Sequence, residues 1–372
     1  MKILQTLPEL NSGGVERGTL ELADFLVKNG HEAIVVSNGG RQVEALERSG
    51  ARHISMPVHR KSLVSLLQVR AFRRLLDREK PDILHIRSRV PGWIAWLAWR
   101  KMDPATRPRL VSTVHGFYSV NRYSAVMTKG EKIIAVSESI REYILKNYPE
   151  TPSENIKVIH RGVSPEIFCR GYKPPEEWSQ AWRSKFPQFE TKKILLLPGR
   201  ITRWKGQEDF IRLIASLRGE GVDAHGLIVG ETHPRKQSFA DELAMLCRTL
   251  EVSEHISFLG QRSDIRDIMA VSDVVFSLSR DPEAFGRVSL EAAAIGKPVI
   301  AYDHGGVREQ LSDFFPEGLV DLGQPGELFK KTMEILATPM VPGLITNFTL
   351  NRMLESTVAV YTAIAKKDDE RD

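Results

Sequence analysis

The chain has little cysteine. Cys169 and Cys247 are its only two in 372 residues; they lie far apart, with no Cys or His at metal-ligand spacing, so free thiols are expected rather than a disulfide framework or zinc cluster. No apolar run approaches the roughly 20 residues that span a bilayer. The opening, Met1-Lys2-Ile3-Leu4-Gln5-Thr6, reads as a first strand instead of a signal peptide, and a cytoplasmic protein is expected. Neither Asp-x-Asp nor His-Glu-x-x-His occurs, so the sequence offers no signature of metal-assisted transfer or zinc hydrolysis and no bound metal or cofactor is expected. Internal repeats and low-complexity segments are absent too.

What is present is ordinary in bulk and uneven in arrangement. Hydrophobic residues make up 42% and charged ones 27%, as in soluble globular proteins, and the length exceeds a usual single core, so two domains are expected. Residues 1–170 hold 27 Lys and Arg against 17 Asp and Glu, whereas the remainder holds 25 against 30. The basic front suits a phosphorylated substrate, an anionic membrane or nucleic acid. For nucleic acid there is neither a binding motif nor an aromatic stacking platform.

Short apolar runs alternate with helical patterns, which predicts α/β domains with parallel sheets. Runs at 3–6, 33–36, 83–86, 110–114, 132–136 and 156–159 read as strands of one sheet. Those at 194–197, 226–229, 256–259, 274–278 and 299–301 read as a second. The stretch 168–193, rich in Pro, Gly, Trp and charge, is the expected connection. The predicted organisation is thus a domain over 1–170, a second over 190–345, and a helix at about 352–366 that can pack back on the first, followed by an acidic tail. Ligands of such sheets bind beyond the carboxyl ends of the strands, so two domains facing each other would enclose a cleft there.

The most informative stretch is Glu283-Ala284-Phe285-Gly286-Arg287-Val288-Ser289-Leu290-Glu291. Pro282 and Gly286 predict a loop around Glu283; a helix follows and stops at Gly296-Lys297-Pro298. Carboxylates accept hydrogen bonds from sugar hydroxyls, while the free amides of Arg287, Val288 and Ser289 at a helix start favour phosphate. A nucleotide-sugar would satisfy both. Gly13-Gly14 precedes another helix and permits close backbone approach to a ligand, without the third glycine of a dinucleotide fingerprint. Arg200 and Lys205 follow the first strand of the second series and could bracket a diphosphate.

Taken in order, Gly13-Gly14, His115 after a strand, Gly199-Arg200 through Lys205-Gly206, the Glu283 to Glu291 motif and Gly305-Gly306 with Glu309 resemble the retaining nucleotide-sugar glycosyltransferases of family 4 type. The likeness covers nearly the whole chain. It implies the GT-B fold, two Rossmann-like doubly wound parallel-sheet domains facing a central cleft. It further implies that Glu291 binds the donor ribose, Glu283 contacts the donor sugar, Arg200 and Lys205 hold the diphosphate, and His115 lies near the sugar. Arg262 to Ile265 would meet the base. With Gly13, Gly14, Arg287 and Val288, these residues form the expected donor and catalytic set, in a front-face transfer that needs no metal.

The acceptor belongs to the front half, where Arg87 and Arg89 follow a strand and are the candidate contacts. Trp93, Trp96 and Trp99, at three-residue spacing beside Arg100 and Lys101, suit either an interfacial membrane helix or a helix packed on the sheet. The stretch 62–80, with Arg70, Arg73, Arg74 and Arg78, suits an anionic surface. The expected activity is transfer of a sugar to a cell-envelope glycan or lipid-linked acceptor, as in lipopolysaccharide core assembly, at the inner face of the cytoplasmic membrane and without nucleic acid as partner. A sugar-nucleotide isomerase or epimerase on the same architecture is the first alternative, and a basic nucleic-acid-binding protein, suggested by charge alone, is the second.

Overall fold

The computed structural model describes residues 1–11, 13–61, 65, 67–232 and 237–365. The chain divides into two compact units, one comprising Met1–His160 with the described residues from Asn351, the other Arg161–Leu350. Each is built on a parallel sheet.

In the first unit the strands are β1 (Lys2–Thr6), β2 (Glu32–Ser37), β3 (Arg52–Ser55), β4 (Ile83–Ile86), β5 (Arg109–Val114), β6 (Lys132–Ala135) and β7 (Ile156–Val158), in the order β3-β2-β1-β4-β5-β6-β7. The central strands are near-continuous apolar runs because helices cover both faces; Ile3, Leu4, Ile34, Val35, Ile83 and Leu84 are all 0% exposed. Each such side chain contributes roughly 1.5–3 kcal/mol on burial. The expected parallel α/β architecture holds. β3 is additional: Arg52-His53-Ile54-Ser55 has no apolar run, since it is an edge strand paired on one side with β2.

The helix Leu350–Ala365 groups with this unit from Asn351 onward. Its Tyr361 is fully buried; the hydroxyl lies 2.6 Å from His85 Nδ1, and His85 Nε2 lies 2.7 Å from Thr113 Oγ1. A chain of buried polar groups thereby gains partners along its length. Residues 366–372, including the expected acidic tail, lie outside the described residues.

In the second unit β8 (Lys193–Pro198), β9 (Ala224–Val229), β10 (Ile256–Gly260), β11 (Val274–Ser277), β12 (Val299–Tyr302) and β13 (Leu319–Val320) run in the order β10-β9-β8-β11-β12-β13. The short β13 was not among the expected strands. Residues 168–193 are also more ordered than a bare connection: they carry the helix Glu176–Lys185. Trp182 stacks on Trp178 at 5.0 Å and leans on Phe186 and Phe189. Apolar burial, hidden among prolines and charges, is what orders this segment.

Phe189 in turn covers His225 on β9, with ring centroids 4.5 Å apart, and His225 Nε2 lies 2.9 Å from Ser257 Oγ. Burial, aided by Lys192 and His255, pushes the His225 pKa down to about 4 from 6.5. As pH falls through this window the unfolded chain takes up the proton first, so stability present above 6.5 is lost toward about 4. Urea unfolding at pH 7 and 4.5 should show wild type losing about 2–3 kcal/mol more than His225→Asn. Equal losses would contradict this account.

Candidate active site

In both sheets the strand order reverses beside the first strand, between β1 and β4 and between β8 and β11. Loops leaving the carboxyl ends of these strands converge at such a point. In the second unit those are the loop after β8, with Arg200 and Lys205, and the loop after β11, with Glu283.

The two loops touch because Gly206 allows it. It has φ +74°, and a Cβ there would stand 2.0 Å from the Leu278 carbonyl oxygen. Lys205 Nζ donates to Glu283 Oε1 at 2.7 Å, and both side chains are only 17% exposed. Ser279 Oγ also donates to that oxygen, and Ser277 Oγ approaches it at 3.5 Å. Burial pushes the Glu283 carboxyl upward; the Lys205 ammonium and the serine hydroxyls outweigh it and hold the group below the usual carboxylate range. Glu283 is therefore a fixed anion. Arg200 is exposed and has no carboxylate partner among the described residues. Its carbonyl accepts from Gln207 Nε2 at 3.0 Å, which fixes the backbone and leaves the guanidinium to solvent.

Further along, Gly286 at φ +87° opens the helix Arg287–Ala294. Gln310 Nε2 donates to the carbonyls of Phe285 and Gly286, and the Gly306 amide donates to the Glu283 carbonyl at 2.8 Å. A Cβ on Gly306 would lie 2.5 Å from Phe285 Cα, so this glycine lets the next helix abut the loop. Glu291, 7% exposed, sits on the second turn, with Arg287 Nε 3.6 Å from its Oε1. The first-turn amides of Arg287 and Val288 belong to the same helix end, so phosphate and hydroxyl recognition are available from one element.

Arg262 is committed elsewhere: its guanidinium forms a fork on Asp264 at 2.8 and 2.6 Å, and Trp178 Nε1 donates to the same carboxylate at 2.7 Å. The hydrogen bonds from Arg262 hold the Asp264 carboxyl low. Ile265 begins the helix that follows; what this loop has to offer a ligand is backbone.

In the first unit, Gly13 caps the helix Gly14–Lys28 without a side-chain hydrogen bond. His115 stands at the end of β5, half-buried, its amide donating to Tyr118 Oη at 3.2 Å. Arg87 differs from an open acceptor contact. It is 2% exposed, with Nη1 on Gln5 Oε1 at 3.0 Å, and burial lowers its pKa to about 10. Arg89, two residues on, is half-exposed. The three tryptophans are unequally buried. Trp99 is buried and donates to the Pro108 carbonyl, while Trp93 and Trp96 are half-buried, Trp96 lying under Arg100. The helix Gln68–Glu79 buries Val69, Phe72, Leu75 and Leu76 and exposes Arg70, Arg73, Arg74 and Arg78. Residues 62–64 and 66 of the expected basic stretch, like Ser12 of the glycine loop, lie outside the described residues.

Sequence reasoning missed the residues that hold the loops. Arg280 clamps Asp209 through two hydrogen bonds of 2.9 and 2.6 Å and reaches Glu208 at 3.0 Å; Tyr302 Oη adds a bond to Asp209. His304 Nε2 lies 2.6 Å from the Ser279 carbonyl oxygen. Only Ser277 and Ser279, polar residues at the end of an apolar strand, carried a local signal. Among the described residues no helix is long and apolar enough to cross a membrane.

Residues 12–167 match the Glycosyltransferase Family 4 model, and residues 179–343 match the model of Glycosyl transferases group 1. A glycosyltransferase from Rickettsia africae is 32% identical, with 98% of each chain covered and a TM-score of 0.85. Anabaena HepE, solved with UDP-glucose, is 21% identical over 99% of this chain and 95% of its own, at a TM-score of 0.76. WaaG, a glycosyltransferase involved in lipopolysaccharide biosynthesis, is 18% identical over 90% of each chain, at 0.67. The last two show likeness of fold.

Proposed function

The chain belongs to the glycosyltransferases, with a Glycosyltransferase Family 4 region followed by a Glycosyl transferases group 1 region, and from that premise we propose that it moves a sugar from a nucleotide-sugar to a cell-envelope glycan or lipid-linked acceptor with retention at the anomeric carbon. The observation that supports this best is the fixed Lys205–Glu283 pair at the reversal of the second sheet, with exposed Arg200 on the same loop as Lys205.

In this reading the second unit binds the donor. Glu291 accepts from the ribose hydroxyls, Glu283 from the donor sugar, and the backbone of Arg262 to Ile265 meets the base. As the bond to the anomeric carbon breaks, charge collects on the terminal phosphate, where Arg200, Lys205 and the amides of Arg287 and Val288 stabilise it. The acceptor oxygen attacks from the same face and its proton passes to the departing phosphate. The cations carry the charge that a divalent metal carries in other transferases, and no cofactor enters the cycle. The exposed arginines of the helix Gln68–Glu79 fit attachment to an anionic membrane, where a lipid-linked acceptor such as lipopolysaccharide core is found.

A panel of UDP-, GDP-, ADP- and CMP-sugars read by thermal shift tests the donor assignment. One class should raise stability by about 2.7 kcal/mol at a hundred times its Kd. Product analysis should show transfer, since isomerisation would return an altered sugar nucleotide. EDTA should leave turnover unchanged. A flat panel, or EDTA inhibition reversed by magnesium or manganese, would count against the proposal.

A further inference from the structure

The loop after β5 runs His115-Gly116-Phe117-Tyr118-Ser119-Val120-Asn121-Arg122-Tyr123, an aromatic density unusual for a surface turn. It is braced from several sides. Tyr143 Oη donates to the Tyr118 carbonyl, Tyr118 Oη accepts the His115 amide at 3.2 Å, and Trp93 Nε1 donates to the Tyr123 carbonyl at 2.7 Å. Onto this frame the fold brings two cations from distant parts of the first unit. Arg89 lies 4.7 Å from the Tyr118 ring centre and 5.4 Å from that of Tyr123, while Lys61 Nζ stands 4.3 Å from Tyr123. Arg89 donates to Ser124 Oγ at 3.3 Å, and neither cation has a carboxylate partner among the described residues. Arg122, which precedes Tyr123 in the chain, is exposed.

Two like charges gathered on one ring repel each other. Cation–π attraction, roughly 0.5–1 kcal/mol at exposed sites, holds each against the ring without neutralising it. An anion that reached both would do so, and the set of donors is suitable: a planar fork from Arg89 and a point charge from Lys61 match a phosphate or carboxylate. We propose that Arg89 and Lys61, braced on Tyr123, bind an anionic group of the acceptor, beside the loop that carries His115. The inference rests on the reading that the first unit takes the acceptor; it adds that this acceptor carries an anionic group. The buried Arg87, held by Gln5, is not part of the contact.

The test uses glucose 6-phosphate, inorganic phosphate and methyl glucoside as probes, titrated calorimetrically into the full chain with the donor site saturated by the nucleoside diphosphate the panel selects. Glucose 6-phosphate should bind at least roughly tenfold more tightly than methyl glucoside, and phosphate should compete with it. Arg89→Gln and Lys61→Gln should each weaken the phosphorylated probe by about tenfold, and together abolish the preference. Nucleoside-diphosphate affinity should be unchanged in all variants, which separates failure here from failure of the donor assignment. Lys61 is exposed, so Lys61→Gln carries the test alone if Arg89→Gln does not fold. A preference that survives the double variant overturns the proposal. So does a double variant that stops sedimenting with phosphatidylglycerol vesicles, relative to phosphatidylcholine ones, yet still binds glucose 6-phosphate, because the cations would then serve lipid headgroups.

Discussion

Lys205→Met should lower turnover by on the order of 10²–10³, the loss seen when one fixed donor to a developing oxyanion is removed. The variant does two things at once. It removes a cation assigned to the departing diphosphate, and it leaves Glu283, 17% exposed, with hydroxyl partners alone. Burial then acts on that carboxyl without the ammonium that offset it, and its pKa rises. The sign of the stability effect follows. In wild type the depressed carboxyl contributes stability above the ordinary carboxylate range, lost as pH falls through the folded value. The difference in unfolding free energy between wild type and variant should therefore be large at pH 7 and shrink in acid. Single-turnover kinetics with urea unfolding at several pH values measures both. Unchanged turnover, or a stability difference that grows in acid, would remove Lys205 from its assigned place.

Glu291→Gln is expected to weaken nucleoside-diphosphate binding by roughly 1.5–3 kcal/mol, as loss of a charged acceptor does, or roughly 10- to 150-fold in Kd. The side chain keeps its shape. Calorimetry on a folded variant decides the point. Unaltered affinity would mean that the carboxylate serves Arg287, 3.6 Å away, and not a ribose.

The fold was legible wherever burial was continuous. Central strands such as 33–36 and 274–278 stand out because both faces are covered. β3 and β13 do not, one being a polar edge and the other two residues long. The helix Glu176–Lys185 was missed because its Trp178 and Trp182, one turn apart, sit among prolines and charges that argue for irregular chain. Within the site, the glycine positions and the Glu283 to Glu291 spacing could be read because turn chemistry is local. Arg280, Asp209 and Tyr302 could not, since their contact joins segments about 70 to 90 residues apart. Arg87 shows the same limit in reverse: two arginines separated by one serine look alike in sequence, yet Gln5 on β1 receives one of them in the interior.

The Tyr361 to His85 contact sets a timetable for synthesis. The seven strands of the first sheet are complete by Val158, but Tyr361 is made about 200 residues later. At roughly 5–20 residues per second that is a delay on the order of 10–40 s. Throughout it the nascent sheet waits with His85 lacking the phenol it will hold. Those seconds are when a chaperone has reason to attend the ribosome, and a message cut short before residue 350 would extend the wait indefinitely.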